Sequence, residues 1–399
     1  MRRRYSTLVV SSIFATWFLV TGCSNEADPT TDQQFFTRIY DNNKFNASYF
    51  PIDIKQTSDG GYLILGGRRL ADSNFSGVYL LRVDALGQLV SENELEETLV
   101  SPVGPLMPSA GKLYFFAMTP VGLQTQLVRV SEAGELEEVT NVGGSYPAAA
   151  AADGSNFLLL NYDHVNKLSV ISVVSSTGTL LQSKGFSIGA GDAVEEPVIN
   201  HFLRTGKQLP FQVGKVGNLY FFNGFYNYTL SLVFTNLSDD DPQGVVQGQQ
   251  EKGGLSYVLP TANGRYAAGR FNFGDNYLLP QVQLNSSGVT SSTDLVGNYL
   301  PELVADAPVK IIRTTVEGVE LVVYASTTRS RQIGLFAYQL PDGTLRGTRY
   351  LGFSNPFEVA ALTVTSDGGL AVCGTTFLAG RFPRICLFKL SAEELAKAF

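Results

Sequence analysis

Short apolar runs alternate with Gly-bearing polar turns along almost the whole chain. The clearest case is Gln56-Thr57-Ser58-Asp59-Gly60-Gly61-Tyr62-Leu63-Ile64-Leu65-Gly66, where an apolar strand precedes Asp-Gly-Gly and an apolar run follows it. Nearly the same residues return near the other end, as Val364-Thr365-Ser366-Asp367-Gly368-Gly369-Leu370-Ala371-Val372-Cys373-Gly374. Weaker copies lie between, among them Gly111-Lys112-Leu113-Tyr114-Phe115-Phe116 and Gly217-Asn218-Leu219-Tyr220-Phe221-Phe222. Strand-length apolar runs bounded by Gly turns predict hairpins, and their recurrence predicts a repeat architecture.

Two sets of Gly turns set the period. The first is Gly60, Gly111, Gly154, Gly217, Gly264, Gly318 and Gly368; the second is Gly87, Gly134, Gly178, Gly244, Gly288 and Gly343. From first to second the spacings are 27, 23, 24, 27, 24 and 25 residues. One unit therefore reads strand a, tight turn, strand b, loop, strand c, tight turn, strand d. Seven such units over residues 35–399 average about 52 residues, the size of a four-stranded propeller blade. The expectation is an all-β chain folded as a seven-bladed β-propeller of four-stranded blades. The constant spacing and the absence of a linker weigh against two β-sandwich domains.

The two ends fit one another. The last unit lacks an outer strand after Arg384–Leu390 and finishes in a short polar or helical tail, Ser391–Lys397. The first unit carries a strand too many, Phe35–Tyr40, whose Thr37-Arg38 matches Thr348-Arg349 in the outer strand of the sixth unit. The surplus strand is expected to complete the last blade, since an open ring leaves sheet edges unpaired.

Composition agrees with this pattern and adds an address. Of 399 residues, 44% are hydrophobic and 16% charged, with 26 Phe, 18 Tyr and 40 Gly against three Met, an all-β balance. Arg2, Arg3 and Arg4 precede the apolar run Leu8–Val20, which ends in Leu19-Val20-Thr21-Gly22-Cys23. This resembles the lipobox of bacterial lipoproteins, and the resemblance implies removal of residues 1–22 and acylation of Cys23. Residues 23–34 then read as a flexible tether, and 35–399 as the propeller. Without residues 1–22 the chain keeps 26 Lys and Arg against 36 Asp and Glu, a net charge of −10. Such a balance argues against nucleic acid as a partner. The expected partners are a membrane through the lipid and a glycan, peptide or protein ligand, with the chain itself a monomer.

The Thr57–Gly66 stretch followed by Tyr79-Leu80-Leu81-Arg82-Val83-Asp84-Ala85-Leu86-Gly87 resembles the repeat of secreted bacterial β-propellers of the quinoprotein-like type, common in Bacteroidota. The likeness is close in the first and last units and faint in the middle five. It supports the fold; the adjacent Cys pair and Trp-rich blades of quinoprotein dehydrogenases are absent, and the single Trp17 lies in the signal.

Strand direction puts the a–b and c–d turns on one face and the b–c and d–a loops on the other. The second face carries the variable material, where function usually resides. Its loops hold Arg68, Arg69, Arg270, Arg329, Arg331 and Arg381, from units that are contiguous in a closed ring, with Tyr226 and Tyr228 at the edge of that sector. Six guanidiniums in an acidic protein predict a site for a carboxylate, phosphate or acidic glycan. The long interval Thr179–Val216, with Asp192, Glu195, Glu196, His201, Arg204 and Lys207, is expected to wall the opposite side with acids. A second reading is a polysaccharide hydrolase or lyase using Glu195 or Glu196 opposite Asp163. Two His and three Cys give no metal-ligand spacing and no phosphate loop precedes a helix, so no cofactor or metal is expected. Cys373 and Cys386 fall on strands b and c of the last unit and could form a cross-strand disulfide if the register allows.

Replacement of Cys23 by Ser should leave the chain unprocessed or release it from membranes. Fractionation of the mutant with membranes at wild-type mobility would show that Cys23 carries no lipid.

Overall fold

The computed structural model describes residues 35–41, 47–95, 98–305, 307–378 and 382–399. The chain divides into two compact units, Met1–Gln33 and Gln34–Phe399, and every described residue belongs to the second. Cys23 and the expected signal and tether thus lie outside the described residues, as does Arg381.

Antiparallel strands dominate, and the described helices are α1 (Asp192–Phe202), α2 (Ala392–Ala398) and two single 3-10 turns. The first unit is a four-strand meander of Tyr49–Gln56, Tyr62–Arg69, Ser76–Val83 and Leu89–Glu94. The second unit, beginning at Val100–Ser109, repeats this, and its ladder meets that of the first at the single bridge of Gly77 opposite Val100. Four-stranded antiparallel sheets follow from Pro147–Asp153 and from Lys310–Val316. In the last sheet Phe36–Tyr40 pairs with Phe382–Leu390, Phe36 opposite Lys389 and Tyr40 opposite Ile385. The N-terminal strand therefore occupies the outer place that the C-terminal segment leaves empty.

The recurring Gly positions have one cause. All of Gly60, Gly111, Gly154, Gly217, Gly264, Gly318 and Gly368 take positive φ, between 57° and 83°, where a Cβ is costly. In the strongest copies the turn is also held by its Asp. Asp59 accepts from Thr57 Oγ1 (2.6 Å) and the Gly61 amide (3.1 Å), and pairs with Arg82 on strand c at 2.5 Å. Asp367 repeats this with Thr365, Gly369 and Lys389. The Thr-x-Asp-Gly-Gly motif is a turn lock whose carboxylate also neutralises a largely buried cation.

The fifth unit departs from the expected pattern. Gly288–Ser291 does not close its own sheet; it runs parallel to Gly244–Gln247, the short outer strand of the fourth unit. The two-residue stretch Asn298–Tyr299 takes the vacated place beside Tyr277 and Leu278. A capping box of Ser291 with Asp294 ends the displaced strand after four residues. Gly244 alone of the second set lacks a positive φ. A Cβ there would lie 2.4 Å from the Ser286 backbone, so this Gly serves close approach.

Both faces of each sheet are buried. Successive side chains of a strand point to opposite faces, so Leu63 and Leu65 pack with Phe115 and Val128 of the second unit. Tyr62 and Ile64 pack with Ala371, Cys373 and Leu387 of the last. Comparable apolar clusters join every consecutive pair of units, including the last to the first. This explains why strands b and c read as unbroken apolar runs. It also corrects the disulfide expectation. Cys373 stands opposite Leu387 and Cys386 opposite Gly374, so the two thiols enter different clusters on opposite faces of one sheet, and both are free.

The strands that open the units touch in cyclic order: Tyr49–Gln56, Val100–Ser109, Pro147–Asp153, Gln212–Val216, Gly253–Pro260, Lys310–Val316, Phe357–Val364 and back to Tyr49–Gln56. This is a propeller-type arrangement. At the junction of the ends, Arg384, 3% exposed, pairs with Asp41 (2.9 Å) and donates to the Ala47 carbonyl (2.7 Å), while Tyr40 Oη donates to Gly87 O (3.1 Å).

Phe36, 5% exposed, anchors the N-terminal strand between the last and first units. Its replacement by Ala should cost about 3–5 kcal/mol in chemical denaturation. Phe35, 59% exposed, should tolerate Ala within about 0.5 kcal/mol. Equal midpoints for the two variants would mean that the junction contributes nothing to stability.

Candidate functional site

The opening strands of all the units line one central cavity of about 710 Å³. That is within the range of small-molecule pockets. Five of these strands carry a register irregularity at the wall; in four of them a single residue is set aside, Ile52, Ala148, Ser256 or Ala360, and each lines the cavity. Bulges of this kind re-aim side chains and are common beside binding sites.

The wall is two-sided. The second to fourth units contribute Val103, Pro105, Ala148, Ala151, Phe211 and Val213, an apolar surface. The fifth, sixth, seventh and first contribute Tyr257, Lys310, Glu358 and Asp53 in that order. Burial raises the pKa of Asp53, against the charges of Lys55 and Lys310 and the Leu106 amide, which donates to Asp53 Oδ2 at 2.7 Å. Burial likewise raises Glu358 and lowers Lys310, the latter opposed by Asp53. The Tyr257 phenol is pushed up to about 12 by burial and by Asp53, so it remains a donor at neutral pH.

One end of the cavity is crossed by the long interval between Gly178 and Gly217. The last two residues of α1, His201 and Phe202, line the cavity together with Leu203, Arg204 and the stretch Gly206–Leu209. The helix buries Val198 and Phe202, one turn apart, in a cluster with Tyr162, Phe225, Phe271 and Phe75. Arg204 then latches this strap to the first unit: its amide donates to Asn74 O (2.9 Å) and its guanidinium to Leu70 O. His201 packs edge-on to Phe202 and Phe211 and accepts from the Leu209 amide through Nδ1 at 2.9 Å. Burial lowers its pKa to about 4.

The sequence-predicted residues fall in several places. Arg329 and Arg331 are exposed and share a rim cavity of about 470 Å³ with Thr328, Phe357 and Glu358. Glu358 also lines the central cavity, so the two spaces share a wall. Arg68 is instead paired with Glu94 at 2.5 Å, an acid on the outer strand of its own sheet. Arg270 is buried, its guanidinium 3.9 Å from the centre of the Tyr277 ring, and Arg69 is exposed at the end of its strand. Tyr226 stands edge-on to Phe186, and Tyr228 is exposed with its ring against Gly189 at the base of the strap.

The interval was expected to wall the far side with acids; it lies over the cavity and contributes His201, Arg204 and Lys207 to the lining. Nor do Glu195 and Asp163 form the expected catalytic pair. Glu195 is held by Tyr162 (2.7 Å), His164 (2.5 Å) and Lys167, and despite burial these lower its pKa. Asp163, lowered by Asn166 and the Val165 amide against burial, caps its own loop. Both stay ionised at neutral pH, so neither is the protonated carboxyl that glycoside cleavage requires. The strap and the charges facing the axis were not legible beforehand; the only signal was the length of the interval.

No known family model and no curated protein matches the chain. Among solved structures it is similar to the β-propeller domain of the Trilobed protease from Pyrococcus furiosus, at 6% identity and a TM-score of 0.48, over 86% of this chain and 93% of that one. It is also similar to a protein of unknown function from Bacteroides caccae, at 14% identity and a TM-score of 0.32, over 79% and 83%.

The strap should loosen on acidification. His201 is neutral in the fold with a pKa of about 4, against an ordinary 6.5, so its contribution is complete above pH 6.5 and is lost as pH falls towards 4. Limited proteolysis within residues 203–210 should therefore be several-fold faster at pH 5 than at pH 7. His201→Gln, which cannot protonate, should flatten that dependence. Equal pH dependence in the two proteins would remove His201 from the account.

Proposed function

We propose that the chain is a seven-bladed β-propeller, lipid-anchored in the cell envelope through Cys23, which binds a small ligand in its central cavity. The blade count is supported by the cyclic contacts of the opening strands and by the apolar clusters between consecutive units. The envelope address is supported by the basic, apolar and Thr-Gly-Cys succession of residues 2–23.

The observation that carries the binding reading is the cavity itself. Hydrophobic packing closes the spaces between blades, yet the axis keeps about 710 Å³ lined by ionisable groups under a latched strap. Retaining desolvated charges there costs stability, and a bound ligand of complementary charge offsets that cost. Arg329 and Arg331 at the adjoining rim supply a cationic approach in an otherwise acidic protein and steer anionic groups towards the opening. Ligand binding without chemistry is favoured over hydrolysis because Glu195 and Asp163 are committed to structural hydrogen bonds.

Filling the cavity tests this directly. Ala360 sits at a bulge on the wall, outside the clusters between blades, so Ala360→Trp should occupy the cavity and leave the fold intact. Small molecules that raise the melting temperature of the purified protein should lose that effect in the variant. Compounds that stabilise both proteins equally would place binding elsewhere.

A further inference from the structure

Resting on the cavity reading, we infer that the ligand is a short peptide with free termini and apolar side chains. Glu358 and Asp53 would receive its ammonium group, Lys310 and Tyr257 its carboxylate, and the wall of the second to fourth units its side chains. The ordering of groups around the axis carries this. Glu358 and Asp53 come from the seventh and first units, which are neighbours; Tyr257 and Lys310 come from the fifth and sixth, also neighbours. Acceptors and donors are thus segregated side by side on one half of the cavity. The other half offers Val103, Pro105, Ala148, Ala151, Phe211 and Val213, beneath a strap that adds Arg204 and Lys207 to the lining.

Three of the four polar groups are uncommitted. Among the described residues, the Lys310 ammonium, the Glu358 carboxylate and the Tyr257 hydroxyl form no hydrogen bond or ion pair, although the strands of Lys310 and Glu358 touch. Asp53 accepts the Leu106 amide through one oxygen only. Elsewhere three cations reaching buried positions are paired with a carboxylate, Arg82 with Asp59, Lys389 with Asp367 and Arg384 with Asp41, while buried Arg270 rests on the Tyr277 ring. A cation and an anion left apart on adjoining strands are complementary to a molecule that carries both charges on one framework. A polyanion would meet Glu358 and Asp53, a polyamine would meet Lys310 and the strap's Arg204 and Lys207, and a neutral sugar would leave Lys310 and Glu358 unpaired and face a largely apolar wall. The opposed pKa shifts of these groups agree, since each would gain from an ionic partner.

Calorimetric titration of the purified protein with trialanine, N-acetyl-trialanine, trialanine amide, triglycine, citrate, spermidine and cellobiose tests the inference. Trialanine should bind, and capping either terminus should weaken it about 10-fold or more. Triglycine, which has nothing to lay on the apolar wall, should bind more weakly than trialanine. Lys310→Met should lose as much affinity as amidation and show no further loss when the amide is used; Glu358→Gln should behave likewise towards acetylation. The capped peptides give the same information on the unmodified protein, whatever the variants do to folding. Equal affinity for capped and free trialanine would overturn the inference. So would binding of only citrate, spermidine or cellobiose, and if Ala360→Trp abolishes that binding the cavity reading survives alone. Absence of any binding sensitive to Ala360→Trp would remove both.

Discussion

Among the described residues, each sheet has two apolar faces and no helix layer covers either. That constraint organises the rest. A sheet buried on one side can face water with the other, but Tyr62-Leu63-Ile64-Leu65 alternates between two clusters and leaves no polar face. The only partners with matching faces are the preceding and following units, and the last unit finds its second partner in the first. The contacts therefore run in a cycle, and the N-terminal strand at Phe36–Tyr40 makes the junction covalently distant but physically continuous.

The cavity follows from the same constraint. Opening strands that pack side by side around an axis cannot all bring their walls to the centre, and bulges at Ile52, Ala148, Ser256 and Ala360 further shape the space. What faces the axis is free of the demand for apolar packing that governs strands b and c. Charges can be placed there at a cost that burial sets, as the raised Glu358 and lowered Lys310 indicate. The strap is the other consequence. Because consecutive units are neighbours, an insertion between the third and fourth can extend over the axis and reach the first, which it does through Arg204 and Phe75.

The clearest reading along the chain was local. The Gly sets, the Asp59 and Asp367 turn locks and the surplus strand at Phe36–Tyr40 all depend on residues within one hairpin or on matching two ends, and their periodicity showed where they belonged. The fifth unit shows the limit. Gly288 takes the positive φ that its place in the series demands, yet the strand after it joins a neighbouring sheet, since the short edge at Gly244–Gln247 was open to it. Arg68 illustrates the same point for a site: it lies within the strand Tyr62–Arg69 and not in the loop beyond it, and Glu94 on the same sheet already holds it.

By itself the sequence determined the all-β class, the repeat with its turn positions and the pairing of the two ends. These rest on backbone geometry and on periods of two and about fifty residues, which are properties of the chain taken in order. The tertiary structure alone decided which faces Cys373 and Cys386 take, that α1 and the strap cover the axis, and that Asp53, Tyr257, Lys310 and Glu358 meet in one cavity. Register and convergence depend on contacts between residues hundreds of positions apart. A one-residue offset sends Cys386 to the opposite face from Cys373, and nothing in the order of residues records which positions on different units share an axis.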